Sequence, residues 1–489
     1  MHMAALHDGP PKRRAAPPRR QDGAFALLYA ATLFVILGVS GLALDLGMLY
    51  NRQAELQGVA RAAALAAARE LNGTAAGIDA ALAGSARVLA DRKIGYGRPL
   101  AWRPEALSFS SSPAAGARWV GAGAARAAPA AQFFVRVDTR LLDRDSWTVA
   151  AFVMPLLSPA LDSMRAGASA VAGRSTVNVV PLAVCAMSPL PGVARAHAGK
   201  PAELVEYGFR RGVSYDLMRL NPQGAAPANF VVDPVSPPGG LGAPGNTTAT
   251  TVAPFVCSGN MWVPRVTGGR IRVSSPFPLK SLVRELNSRF DQYGGSCDPH
   301  GAPPDRNIKS YAAPGWMQPA PIAASAASLA EGARLHTVAD AAKPPSNIQP
   351  GMYGPLWSYA NAVKHAGYLE GQPEPAAGYE TFAPADWSGL YPSGPRASGY
   401  PAQAPYFASA GPAYEAPAAA RRTLATPGRR LLLVPLLECP VPPGANVGAK
   451  ALAVGKFFMT APATDTSIHA EFAGLAAETT LSGQVILYP

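Results

Sequence analysis

Charge is scarce in this chain: only 15% of its 489 residues are Asp, Glu, Lys or Arg. Of the net charge of +12 the first 22 residues carry +3, and beyond them no basic block interleaved with aromatics occurs, so the remaining +9 reads as solvated surface or weak attraction to anionic envelope material and not as a nucleic-acid site. Cysteine is scarcer still, with four residues at 185, 257, 297 and 439. None lies in a CxxC or a Cys/His cluster, which excludes the usual zinc-ligand spacings. The seven histidines never fall at ligand spacing either, and Asp298, His300 and Asp305 come together only in a Pro-rich stretch where solvated side chains are expected. There is no P-loop, GxSxG elbow or HExxH. The string "GLGAPG" at 240–245 has the letters of a dinucleotide fingerprint, but it follows Pro237-Pro238 and leads into "NTTAT" instead of a helix. These absences leave no signal for an enzyme, a bound metal or a cofactor, and they favour a structural or interaction protein.

Apolar and small residues are plentiful. From Gly23 to Leu44 the chain runs 22 residues without a charge, "GAFALLYAATLFVILGVSGLAL". At ~1.5 Å per helical residue this spans roughly 33 Å, enough to cross the hydrocarbon core of a bilayer. A cleavable signal has a shorter apolar region ending in a small-residue cleavage site, whereas here Asp45-Leu46-Gly47-Met48 follows, so an anchor is expected. Lys12, Arg13, Arg14, Arg19 and Arg20 precede the run against Asp8 and Asp22, and the positive-inside rule then keeps the N-terminus in the cytoplasm and exports everything after Leu44. Asp45 has two readings. It marks the hydrated interface, or it makes a helix–helix contact within an assembly.

The helical pattern continues past Asp45. Leu49, Gln53, Leu56, Ala60, Ala63, Ala64, Ala67 and Leu71 fall on one stripe, and Asn72-Gly73 provides a stop. Span and stalk therefore form one long helix, whose alanine stripe is either solvated or covered by a partner helix. A second helix is expected after Thr74 as its cap.

With 50 prolines and 48 glycines the rest of the chain is loop-rich. Short β-prone runs such as "QFFVRVDTR" and "SWTVAAFVM" favour an antiparallel sheet or sandwich over a parallel doubly wound one. The expected organisation is α+β. It comprises a basic tail (1–22), a transmembrane helix (23–44), a helical stalk (45–95), a first β-rich segment (96–190), a Pro/Gly-rich insertion with ordered islands (191–428) and C-terminal strands (429–489). Residues 370–420 read as surface loop, and Leu279, Leu282, Val283, Leu286 and Phe290 mark a short amphipathic helix.

An even cysteine count on the exported side suggests two disulfides, with three connectivities open. One echo bears on the choice: "VPLAVC" at 180–185 reappears as "VPLLEC" at 434–439. The echo is either chance or a mark of two neighbouring strands in one sheet. If they are neighbours, Cys185–Cys439 and Cys257–Cys297 become the natural pairs.

The stretch from Gln21 to Leu71 resembles the N-terminal region of the TadE/TadG-like family, membrane-anchored components of Flp (tight adherence) pilus assembly. The likeness rests on Gly23-Ala24 opening the span, "LALDLGMLY" with Asp45, Gly47 and Tyr50, "AELQ" with Leu56 and Gln57, and "AAALAAAREL". It covers about fifty residues and is similar again, more weakly, at "SWTVAAFVMPLLSPALDSMRAGASAVAG". The resemblance implies a single-span bacterial inner-membrane protein with a periplasmic body. It also implies a role in type IVb-like pilus assembly, and so in adhesion and biofilm formation, through contacts with pilins or other assembly proteins and as a homo- or hetero-oligomer along the stalk. Two departures matter. Arg61 stands where the family often has an acid, and Leu28 stands where a pilin leader has glutamate, so an uncleaved anchor is expected. Larger relatives carry a von Willebrand A domain, but "DWSGL" at Asp386 and "DTSIH" at Asp465 lack the last serine of its metal motif. The competing expectations are a cleaved minor pilin, or an anchored envelope enzyme or receptor with a deep polar pocket.

Overall fold

The computed structural model describes residues 22–71, 73–95, 97–114, 116–197, 201–318, 323–341, 346–481 and 483–488. The basic tail residues Lys12, Arg13, Arg14, Arg19 and Arg20 lie outside them. Helix α1 runs unbroken from Asp22 to Glu70, because its sequence is dominated by alanine and leucine and contains no proline. Just beyond it Gly73 takes a left-handed φ of +84°, which turns the chain. Helix α2, Ala75–Ala90, then starts with the Thr74 hydroxyl accepting the Gly77 N–H at 3.1 Å.

Helix α2 folds back along α1, and the Ser85 hydroxyl donates to the Ala63 carbonyl at 3.1 Å between them. Leu56, Ala60, Ala63, Ala64, Ala67 and Leu71 of the stripe are buried, while Gln53 is exposed. Their partners belong to the same chain: Ile78, Ala81 and Leu89 of α2, and Phe109, Val135 and Ala172 of a sheet. That sheet has four strands in the order Val485–Tyr488, Ser169–Arg174, Phe134–Asp138, Leu107–Ser110, antiparallel throughout. Small side chains let the helices and the sheet approach closely, so the stalk is the core of a helix-on-sheet unit and not a free rod. The C-terminal strand belongs to this unit, 311 residues along the chain from its partner Arg174.

The centre of the body is a closed five-stranded barrel. In ring order its strands are Leu182–Cys185, Asn229–Val232, Arg270–Ser274, Val447–Met459 and Leu431–Leu437. Four contacts are antiparallel, and the fifth, between Leu431–Leu437 and Leu182–Cys185, is parallel. A ring with an odd number of strands cannot alternate direction all the way round, so one parallel pair is obligatory. The echoed segments form that pair, with Leu436 opposite Val184 and Leu437 opposite Cys185. Alternate residues of all five strands, among them Ala183, Phe230, Ile271, Leu437 and Ala449, share one apolar cluster. Leu182, Val184, Val231 and Val434 contribute instead to a larger cluster built with the insertion. The sheet expected from the sequence thus closes on itself. A boundary at residue 190 would cut it, since 229–232 and 270–274 are two of its strands.

The insertion is packed, not loose. Within 370–420, expected as surface loop, Phe382, Trp387, Leu390, Tyr391 and Tyr406 are buried. Their hub is Trp357, fully buried with φ of 57°, whose ring lies 4.8 Å from that of Trp387 and whose Nε1 donates to the Tyr391 hydroxyl at 3.0 Å. Ladders are short in the insertion, such as Ser328–Glu331 with Arg334–Thr337, and a few aromatic rings bury enough area to hold the irregular chain between them. Buried charges complete the frame. Arg210 donates to both Glu203 oxygens at 3.0 Å, and Arg430 donates to the carbonyls of Asn307 and Lys309 at 2.9 Å. Burial pushes the Arg430 guanidinium down to about 10, against the nearby Asp305. The helix marked by Leu279, Leu282 and Leu286 is present at Leu279–Asn287. A helix also follows "GLGAPG" after all, at Ala249–Ser258, capped by Thr248.

Candidate assembly interface

From Phe25 to Leu44 the side chains of α1 are exposed, apart from Gly38 and Gly41. This helix is long and apolar enough to cross a membrane, with a mean hydropathy of 2.2 in its best window. Gly23 lies in its first turn.

Asp45, the first charge after the run, is buried. Its carboxylate is bonded within the same chain. It accepts the backbone N–H groups of Phe152 at 2.7 Å, Val153 at 3.0 Å and Met154 at 2.9 Å. These amides open a single helical turn, Met154–Leu157, and such a turn leaves its first donors without internal partners. A carboxylate aimed at them supplies the acceptors. One turn earlier in α1, Gly41 makes room for the same segment, since a Cβ there would fall 2.2 Å from Val153 Cγ1. Sequence reading found Asp45 but missed Gly41 and the 152–154 amides. The available signal was the uncharged run from Ser146 to Leu161, 16 residues between Asp145 and Asp162.

Asp45 is the first of four polar side chains through which α1 grips the backbone of the body. Arg52 donates to the Ser146 carbonyl at 3.3 Å, Glu55 accepts from the Gly95 N–H at 3.2 Å, and Gln57 donates to the Ser169 carbonyl at 3.1 Å. At the far end Arg174 donates to the Arg69 carbonyl, a cation on the negative end of the helix. Arg265 lies beside Gly73 and over the Phe133 ring at 4.7 Å, and burial pushes its guanidinium down to about 10. Leu56 is in the core, while Gly47 and Tyr50 remain on the open face of α1, as does Arg61.

The four cysteines form two bonds away from the helix. Cys185–Cys439, with Cα atoms 5.6 Å apart, staples the parallel seam of the barrel, and Cys257–Cys297 ties helix Ala249–Ser258 to the segment following Leu279–Asn287. These are the pairs that the sequence echo suggested.

Among the described residues no three His, Cys, Asp or Glu side chains converge as metal ligands do. Asp298 and His300 are exposed, whereas Asp305 turns inward to accept from Arg430 N at 2.9 Å and the Tyr406 hydroxyl at 3.0 Å. A surface notch of about 290 Å³ lies between α1 and α2, walled by Arg69, Glu70, Arg87 and Asp91.

Residues 23–70 match the family model described as putative Flp pilus-assembly TadE/G-like. No curated protein and no solved structure matches the chain.

Proposed function

We propose, with the TadE/G-like segment at residues 23–70 as the premise, that this protein is a non-catalytic component of Flp pilus assembly, held in the inner membrane by α1. In this reading the N-terminus is cytoplasmic, the disulfide-bonded body is periplasmic, and the protein works through contacts with pilins or other assembly proteins. The observation that carries it is the division of α1. One continuous helix has an exposed apolar half, while one face of its alanine-rich half is buried in the body and the helix is bonded to it by Asp45, Arg52, Glu55 and Gln57. Movement of the body is thereby coupled rigidly to the helix in the membrane. Two disulfides suit an oxidising compartment. The open face of α1, with Gly47 and Tyr50, is the side available to a neighbouring helix.

Deletion of the gene should abolish or alter surface pili and adherence, and complementation should restore them. Normal piliation in the deletion strain would overturn the assignment. Intact mass separates anchor from fibre subunit: a chain beginning near Met1 and confined to membranes is expected, and one beginning at Ala24 in sheared pili would make the protein a minor pilin.

A further inference from the structure

Phe152 and Leu156 are among the most exposed large apolar side chains of the molecule, at 81% and 83%, with Leu161 nearby at 41%. They flank Val153, which sits against Gly41, inside the uncharged run that ends at Leu44. At ~1.5 Å per residue, Gly41 lies about 6 Å nearer the membrane centre than Asp45. The two exposed side chains are therefore held at the depth where the anchor helix leaves the bilayer.

The backbone of the same segment is prepared for a medium poor in water. Ala151 N donates to Asp162 O, the N–H groups of Phe152, Val153 and Met154 to Asp45, and that of Leu156 to Val153 O. Ser158 N donates to Met154 O, Ala160 N to the Ser158 hydroxyl and Leu161 N to Ser158 O, while residues 155 and 159 are prolines without an N–H. Turns in water also pair such donors, but in hydrocarbon the pairing is required, because each unserved donor is costly there. At the base of the hairpin Arg165 lies over the Trp147 ring at 5.6 Å, an aromatic–cation pair of the kind that suits the headgroup layer.

We infer that residues 151–161 form a second membrane contact, which inserts Phe152 and Leu156 into the outer edge of the bilayer beside α1. The Asp45 clasp sets its depth. This rests on α1 being a membrane anchor. The contact would fix the angle of the body on the membrane, which a single helix leaves free to rotate and tilt.

The test uses the full chain in lipid nanodiscs and in native membranes, with a photoreactive phenylalanine analogue replacing Phe152 or Leu156, and mass spectrometry of the adducts. Replacement of Phe34 in the span reports the anchor, and replacement of Leu241, exposed on a loop of the barrel, reports background. Adducts with acyl chains at 152 and 156, at the level seen for 34 and roughly tenfold above 241, are the expected result. Background labelling at 152 and 156 with strong labelling at 34 would overturn the contact while leaving the anchor intact. Adducts to another protein in native membranes, in place of lipid, would overturn it in favour of a protein-docking loop. Absence of lipid adducts at 34 would remove the anchor and this inference together. Retention of both disulfides in each variant confirms the fold.

Discussion

The carboxylate of Asp45 accepts the N–H of Phe152 at 2.7 Å across 107 residues of sequence. Asp45→Ala leaves three amides without an acceptor and should free the 151–161 segment, whereas Asp45→Asn keeps one acceptor oxygen and should free it less. Hydrogen exchange of Phe152, Val153 and Met154 in the detergent-solubilised full chain reads this directly, with a large rise for alanine and an intermediate one for asparagine. Gly41→Leu should give the same rise while leaving the Asp45 carboxylate untouched, because its side chain displaces Val153. Unchanged protection in all three variants would mean that the clasp does not hold the loop.

Much of the molecule was legible before the structure. The 22-residue run, the alanine stripe and the Thr74 cap each have a local signature, because helix periodicity and capping act over three or four residues. The body was legible as β-rich, but its closure was not. Barrel closure depends on pairing between segments some 250 residues apart, and only the "VPLAVC"/"VPLLEC" echo hinted at it. The packing of the insertion was hidden for a different reason. Asp45, Asp305, Glu471 and Arg430 all bond to backbone groups of distant, irregular chain, and backbone partners leave no residue pattern to read. Trp357, Trp387 and Tyr391 were visible as aromatics in Pro/Gly-rich sequence, yet nothing local distinguishes a buried ring there from an exposed one.

The two disulfides should differ in effect. Cys185–Cys439 closes a separation of 254 residues and Cys257–Cys297 one of 40. On the loop-entropy scale these correspond to about 5.5 and about 4 kcal/mol through the unfolded chain. Paired Cys→Ala replacement of the first should lower the denaturant midpoint more than replacement of the second. It should also loosen the parallel seam, seen as faster exchange of Ala186 N, which donates to Leu437 O at 2.9 Å. A larger loss from removing Cys257–Cys297 would show that the inner bond, not the barrel seam, limits stability.

Glu471 supplies a pH dependence of unusual sign. It is fully buried on strand His469–Leu475 and accepts the N–H groups of Ser358 at 2.6 Å, Tyr359 at 3.0 Å and Ala360 at 2.7 Å, so it pins the turn that follows Trp357. Burial outweighs these donors and pushes its carboxyl from the ordinary 4.5 up to about 7. A folded-state value above the unfolded one means that the folded protein binds the proton more tightly. The stability this group contributes is therefore full below about pH 4.5 and is lost as pH rises through about 7, with a slope of up to ~1.4 kcal/mol per pH unit between. Glu374, held below its ordinary value by Arg211 despite the opposing effect of burial, acts in the opposite direction, so the contribution is isolated as the difference between wild type and Glu471→Gln. Denaturation midpoints from pH 4 to 8 should show that difference changing across this window and constant outside it. A difference independent of pH would mean that the three amides offset burial and leave the carboxyl at its ordinary value.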